Sequence, residues 1–292
     1  MTDTVKFTIS FEGNSSDNHR IDLYDIAQAL TGFQRSLALT THLILNNQVI
    51  TQSPSLKNAE IYSLPSEDGS WKMTAVICTA LYSLSTAPKD TPLGNIIYSA
   101  YDYVISESLG VHVDYNKTLG KLYEESKNKK LPKIQQYQLD SVIEKCSFSI
   151  KEMHRPIYQT RTATKATISA TVNDTILPIS SSLSMDTYTH LKEELISSKE
   201  TIIQGYISSY NVNTYKGRIY VPKEGRPIPF ELSESIRDNR TVEIIVDNLS
   251  KNALNDQNIK KIECTVFEVT SNSAKLKRYI VKNISISKNE GR

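Results

Sequence analysis

The spacing of apolar residues predicts that the first part of the chain combines a strand with a long helix. Residues 5–11 alternate between apolar and polar side chains, which is typical of a half-buried strand. Apolar residues then recur every three or four positions over 23–45, which predicts an amphipathic helix with Asp22 as its N-cap. Gly32 lies inside this helix at a cost of about 1 kcal/mol relative to alanine. We therefore expect another backbone to pass close to Gly32.

The pattern then continues through shorter elements up to about residue 184. A predicted hairpin is joined by turn-forming residues, two helical stripes follow, and a second hairpin comes after them. These elements are predicted at 59–64 and 71–77, at 93–109 and 136–154, and at 163–171 and 175–179. A strand, a long helix and antiparallel hairpins together predict an α+β domain with helices on a small antiparallel sheet.

The last third of the chain has the pattern of short strands. They are predicted at 202–210, 215–221, 226–232, 242–246, 262–269 and 276–286. Five or six strands in about 85 residues suit a small β-barrel, which also avoids exposed sheet edges. Pro227 and Pro229 cannot donate to a ladder, so the third strand should lie on an edge or leave the ladder there.

A length of 292 residues is typical of two domains. The pattern predicts an N-terminal α+β domain over 1–184, a connector helix over 185–200 and a small β-barrel domain over 201–292. The fold class is therefore α+β followed by a β-barrel.

Composition narrows the classes of function. The net charge of +2 offers no global field that would attract DNA or a membrane. Cys78, Cys146 and Cys264 are widely spaced, which fits buried thiols in a reducing cytosol better than disulfides or a zinc site. No signal-peptide pattern is visible and no apolar run approaches the ~20 residues of a membrane helix. These features predict a cytoplasmic protein without a membrane partner.

Catalytic signatures are missing from the chain. The nucleotide-binding loops GxGxxG and GxxxxGK[ST] and the nucleophile elbow GxSxG do not occur. His112 and Asp114 would supply two metal ligands at most. Thus no catalytic, cofactor-binding or metal-binding residue is predicted. The five histidines, all isolated from one another, are His19, His42, His112, His154 and His190.

A local basic cluster follows the 136–154 helix. It consists of His154, Arg155, Arg161 and Lys165. A loop exposed to water is the favoured interpretation, and a phosphate site is the alternative.

The strongest candidate for a binding surface is the strand at 215–221. Alternation places Lys216, Arg218 and Tyr220 on an outward face, with Tyr206 and Tyr210 on the neighbouring strand. Barrels that bind single-stranded nucleic acid combine cations along the backbone with rings that stack on bases. The alternative is an ordinary solvated strand face, on which tyrosine serves β propensity and cross-strand packing. The residues on the opposite, core-like face are Tyr215, Gly217, Ile219 and Val221.

Four stretches carry a resemblance to a known group. They are IDLYDIAQALTGFQRSLALTTHLILN, EDGSWKMTAVI, TAPKDTPLGNIIYSAYDYVISESLG and SSYNVNTYKGRIYVPKEGRPIPFEL. Together they resemble a group of uncharacterised bacterial proteins with an N-terminal α+β domain and a C-terminal small β-barrel. The resemblance covers most of the chain and implies a bacterial origin and a two-domain architecture. It implies no activity, cofactor or site residue.

Three hypotheses of function remain. The first is a non-catalytic interaction or adaptor protein whose barrel binds a partner, and whose helix over 22–45 forms homo-oligomers if its apolar stripe is wider than its own sheet covers. The second is a barrel that binds nucleic acid, and the third is an enzyme with a cryptic site between the domains. A role in defence against phage or mobile elements is compatible with such a protein, although no residue argues for it.

Overall fold

The computed structural model describes residues 4–64, 71–79, 93–125, 133–172, 174–254, 256–270 and 276–287. The chain divides into two compact units, Met1–Lys192 and Glu193–Arg292. The predicted turn at 65–70 lies outside the described residues.

The first unit alternates strands and helices in the order that the apolar pattern predicts. Its strands are β1 (Thr4–Glu12), β2 (Ala59–Leu64), β3 (Trp71–Thr79), β4 (Lys165–Val172), β5 (Thr175–Pro178) and β6 (Leu183–Ser184). Its helices are α1 (Leu23–Asn46), α2 (Leu93–Ser108), α3 (Lys121–Glu125), α4 (Gln136–Glu152), α5 (Arg155–Tyr158) and α6 (Met185–Lys192).

The sheet of the first unit is antiparallel, with the order β2-β3-β1-β4-β5, and β6 pairs with β4. Its centre is β1, whose alternating apolar residues Val5, Phe7, Ile9 and Phe11 are all buried in the core. Helices α1, α2 and α4 contribute to the same core. The α+β class predicted for this part of the chain is confirmed.

Helix α1 begins and packs as its sequence predicts. The Asp22 carboxylate accepts a hydrogen bond from the backbone N–H of Asp25 at 3.0 Å, which is the geometry of an N-cap. A Cβ atom at Gly32 would lie 2.3 Å from the carbonyl oxygen of Ser149 on α4. The glycine therefore allows α1 and α4 to cross at short distance, which is the close backbone expected there.

The segment after Ser184 differs from the predicted connector helix. Helix α6 belongs to the first unit, and the chain is already extended from Leu195 onwards. Leu195 and Ile196 pair with Thr270 and Val269 of a later strand. Pairing with this later strand supplies hydrogen bonds for the backbone N–H and C=O groups of the stretch. The stretch is therefore a strand, although its apolar residues have helical spacing.

The second unit contains five strands and one long helix in its described part. They are β7 (Leu195–Asn211), β8 (Lys216–Val221), β9 (Arg226–Leu232), α7 (Asn239–Ala253), β10 (Ile262–Thr270) and β11 (Leu276–Ile286). The strands close into a barrel with the order β10-β11-β9-β8-β7. The small C-terminal β-barrel predicted from the sequence is confirmed.

The barrel has a Greek-key connection. Strands β7, β8 and β9 follow one another as antiparallel neighbours, and β10 returns after α7 to lie beside β7. The spatial order β10-β7-β8-β9 is the 4-1-2-3 order of a Greek key. Strand β11 then closes the ring and runs parallel to β9 over Phe230–Leu232.

Residues 242–246 are helical, so the strand predicted there is wrong. They form part of α7, whose N-cap is Asp238 and whose Ile245 is buried in the barrel core. The short apolar run fits a strand as well as a helix, because periodicity alone does not separate the two over five residues. The N-cap and the burial of Ile245 show why the helix forms.

Helix α7 is attached to an irregularity in β7. The β7–β8 register shifts between Ile207 and Ser209, which is a β-bulge. The Asn248 side chain accepts from the Ile207 N–H at 2.8 Å and donates to the Lys260 carbonyl at 2.8 Å. The Asn252 side chain donates to the Ile207 carbonyl at 2.9 Å. Two side chains of α7 therefore satisfy both backbone groups of Ile207.

Candidate nucleic-acid interface

Strand β8 has one face in the barrel core and one face directed outwards. Ile219 and Val221 are 1% and 4% exposed, and both belong to the barrel core. Lys216 and Tyr220 are exposed on the other face. At Lys216, Ile219, Tyr220 and Val221 the alternation thus separates core from surface as the sequence pattern predicts.

Two of the candidate tyrosines are direct neighbours across the strands. Tyr206 of β7 pairs with Tyr220 of β8, and Tyr220 pairs with Pro227 of β9. Opposite residues of an antiparallel pair have Cβ atoms about 4.5–5.5 Å apart on the same face of the sheet. Tyr206, Tyr220 and Pro227 therefore form a row of rings across three strands, which we call the ring row. Tyr220 is 38% exposed and Tyr206 is half-buried.

Arg218 is directed to the outer side of β8 but is only 3% exposed. Its cross-strand neighbours are Ser209 and Pro229. A guanidinium buried to this extent does not present itself to a ligand on the surface. Of the two cations predicted on this face, the structure exposes Lys216 and buries Arg218.

Tyr210 lies on the inner side of the barrel wall, apart from Tyr206. The bulge inserts one residue after Ile207, so Tyr210 pairs with the inward-directed Gly217. The Tyr210 ring stacks on Phe230 at 6.3 Å between centroids. Its hydroxyl is buried without a hydrogen-bond partner among the described residues, and burial raises its pKa above the ordinary value. The bulge thus separates two tyrosines that regular alternation would place together.

An arginine and a tyrosine meet where β8 begins. Tyr215 has φ 56°, in the left-handed region that bulky residues rarely adopt. The Arg237 guanidinium lies over the Tyr215 ring at 5.1 Å, and its Nε donates to the Leu232 carbonyl at 3.1 Å. The sequence pattern assigned Tyr215 to the core, and the half-buried Tyr215 does pack against the barrel core. The pattern gave Arg237 no role. No spacing connects the two residues, because their contact depends on how the chain continues after β9.

Strand β9 leaves one of its ladders at the prolines. It pairs with β8 from Arg226 to Glu231, whereas its pairing with β11 covers Phe230–Leu232 alone. Pro227 and Pro229 both precede this parallel pairing. A proline has no N–H to donate, and the ladder with β11 is absent where the prolines occur, as expected.

Two cations of the basic cluster after α4 are ion-paired with carboxylates. Arg155 Nε donates to Asp25 Oδ1 at 2.9 Å, and Arg155 Nη1 lies 3.3 Å from the Glu152 carboxylate. His154 is buried, and burial lowers its pKa to about 4. Lys165 forms an ion pair of 2.9 Å with a glutamate of β1. Because Arg155 and Lys165 are ion-paired and His154 is neutral, this region favours structure over phosphate binding.

Sites for metal or nucleophilic chemistry do not emerge from the described part of the chain. It contains no group of three or more His, Cys, Asp or Glu side chains that could hold a metal ion. His112 instead bonds Glu107, with Nδ1 at 2.6 Å from Oε1. Burial raises the pKa of the Cys146 thiol to about 12, so Cys146 stays protonated at neutral pH.

No helix among the described residues is both long enough and apolar enough to cross a membrane.

Comparison with known proteins places the chain in a family. No curated protein and no solved structure matches it. Residues 199–285 match a second model, described as a family of unknown function (DUF7947), which corresponds to the barrel. Residues 7–190 match the model described as a domain of unknown function (DUF7946), and the chain belongs to this family.

Proposed function

We propose that the protein is a non-catalytic binding protein of the bacterial cytosol whose barrel takes up single-stranded nucleic acid. The strand would lie along the outer face of β8 and β9. The ring row of Tyr206, Tyr220 and Pro227 is the single observation that carries this proposal.

The architecture supports this choice of face. Five-stranded Greek-key barrels of the OB type bind oligonucleotides on the face of their second and third strands. In this barrel β8 and β9 are the second and third strands in chain order. The ring row crosses both of them.

The side chains on this face suit a ligand without a fixed sequence. Every base has a π-face, so stacking on tyrosine holds a strand with little sequence preference. Tyr220 is 38% exposed, which leaves part of its ring open for a base. Lys216 is exposed on the same strand and face, four positions away, where it can follow the phosphate backbone.

The test is a binding titration of the full chain with a fluorescent oligothymidylate at low salt, read by anisotropy. Stacking is worth about 1–3 kcal/mol per base, so Tyr220→Ala should weaken binding about five- to 150-fold. Lys216→Ala should reduce the slope of log affinity against log salt by about 0.7. Tyr137→Ala, which removes an exposed tyrosine of α4, is the matched control and should bind as the wild type does.

Two results would refute the proposal. The first is that the wild-type protein retains no oligonucleotide at low salt. The second is that Tyr220→Ala and Tyr137→Ala bind equally well. Either result would favour a protein partner for the barrel.

A further inference from the structure

We propose that Arg237 forms a phosphate-binding subsite beside Tyr215, at the end of β8 where that strand begins. This inference rests on the proposed function, because it assigns the group that this end of the face would hold. The ligand is a phosphate of a single strand, either within the strand or at its terminus.

The Arg237 guanidinium is held in place by two contacts. Nε donates to the Leu232 carbonyl at 3.1 Å, and the guanidinium lies 5.1 Å from the centre of the Tyr215 ring. Among the described residues no carboxylate lies within ion-pair distance of Arg237, although the residue is exposed. A planar guanidinium fixed in this way suits bidentate recognition of a phosphate.

The backbone of Tyr215 points to a function for its ring. A left-handed conformation costs about 1–2 kcal/mol for a residue with a side chain, and glycine or asparagine would adopt it more readily. The conformation is maintained because the Tyr215 carbonyl accepts from the Leu232 N–H at 3.0 Å. Strained residues cluster at binding sites. The ring of Tyr215 supplies the platform against which Arg237 is held.

Two of the nearby carboxylates are engaged elsewhere. Glu231 is the cross-strand neighbour of Lys216 and lies 3.5 Å from Arg278. Asp238 caps α7 by accepting from the Thr241 N–H at 2.8 Å. Neither carboxylate has a contact with Arg237, so the guanidinium keeps its charge for a ligand.

The subsite lies at a distance from the ring row that requires an extended ligand. Lys216 and Tyr220 are separated by about 13 Å along β8, at about 3.3 Å per residue. A strand that stacks on Tyr220 must therefore extend over several nucleotides before a phosphate reaches Arg237. Mononucleotides should then compete poorly with longer strands.

The experiment compares Arg237→Ala and Arg237→Lys with wild type in the same anisotropy titration of the full chain. Because Arg237→Ala loses hydrogen bonds to a charged phosphate, it should bind about tenfold or more weakly than the wild type. Arg237→Lys keeps the charge but loses the fork, so it should recover little of this loss. Arg240→Ala removes an exposed arginine from the first turn of α7 and should leave affinity within about twofold.

Oligonucleotides with and without a terminal phosphate distinguish the two sources of the ligand. If the terminal phosphate is bound, its removal weakens the wild type and leaves Arg237→Ala unchanged. If an internal phosphate is bound, removing the terminal phosphate changes the affinity of neither protein, and Arg237→Ala still binds more weakly than the wild type. If Arg237→Ala binds the oligonucleotide with the same affinity as the wild type, the subsite is refuted and the proposed function still stands. Absence of wild-type binding overturns both.

Discussion

Replacing Asn248 by alanine is predicted to lower the free energy of unfolding of the barrel and to leave that of the first unit unchanged. Asn248 is 5% exposed and forms hydrogen bonds with the Ile207 N–H and the Lys260 carbonyl, both at 2.8 Å. Alanine would leave the buried Ile207 N–H without a partner and would remove the part-buried bond to the Lys260 carbonyl. The buried N–H costs about 1–3 kcal/mol and the lost bond about 1 kcal/mol, so the loss should be about 2–4 kcal/mol. This is a large part of the ~5–15 kcal/mol by which native domains are stable.

The two units give the measurement an internal reference. Trp71 is the only tryptophan of the chain and lies in β3 of the first unit. Its fluorescence therefore reports urea unfolding of that unit, whereas far-UV circular dichroism reports both. With a slope of about 1–3 kcal/mol per molar urea, the barrel transition should move down by about 1–3 M. The fluorescence midpoint should not move.

Asn239→Ala is the matched control for Asn248→Ala. Asn239 is an exposed residue at the start of the same helix, and among the described residues its side chain forms no hydrogen bond. Its replacement should shift the barrel transition by less than about 0.5 kcal/mol. The reasoning fails if both substitutions shift the transition equally, or if the fluorescence midpoint moves together with the dichroism. The double variant Asn248→Ala/Asn252→Ala should lose less free energy of unfolding than the sum of the two single variants, because both side chains form hydrogen bonds with Ile207.

Two further predictions concern the first unit. Gly32→Ala would place a Cβ atom 2.3 Å from the Ser149 carbonyl oxygen and should cost about 1–3 kcal/mol in tryptophan-detected unfolding. Gly120→Ala, where the nearest atom is 3.5 Å away, is the control, and equal losses would contradict the packing argument. His154 has a folded pKa of about 4 against 6.5 when unfolded, so only the unfolded chain takes up a proton between these values. Stability should therefore be complete above pH 6.5 and fall by about 3 kcal/mol towards pH 4, and an unchanged slope in His154→Gln would exclude this cause.

Local signals predict much of the fold. Strict alternation in β1, the N-cap of α1 and the glycine within α1 each have one physical explanation, and each is observed. The run at 242–246 lacks such a signal, because its apolar residues fit a strand or a helix over so short a length. What decides in favour of the helix is the burial of Ile245 in the barrel, which is a tertiary fact.

The candidate site is less predictable, because it depends on contacts between distant segments. Alternation assigns Lys216, Arg218 and Tyr220 to one face, yet it gives no measure of how deeply each side chain is covered. Arg218 is nearly inaccessible between its neighbours on β7 and β9. The contact between Arg237 and Tyr215 joins residues that no periodicity relates. The direction of a side chain is thus a local property, whereas its exposure is not.

The bulge in β7 connects the stability of the barrel with the composition of its outer face. Beyond the inserted residue the two sides of the strand exchange, so Tyr206 is directed outwards and Tyr210 inwards. The bulge is maintained because the side chains of Asn248 and Asn252 on α7 form hydrogen bonds with the N–H and the carbonyl of Ile207. Since a one-residue shift of register exchanges the faces of a strand, an unanchored bulge would let Tyr210 compete for the outer side. Helix α7 therefore helps to keep Tyr206 directed outwards and Tyr210 directed inwards, although it contributes no residue to the ring row.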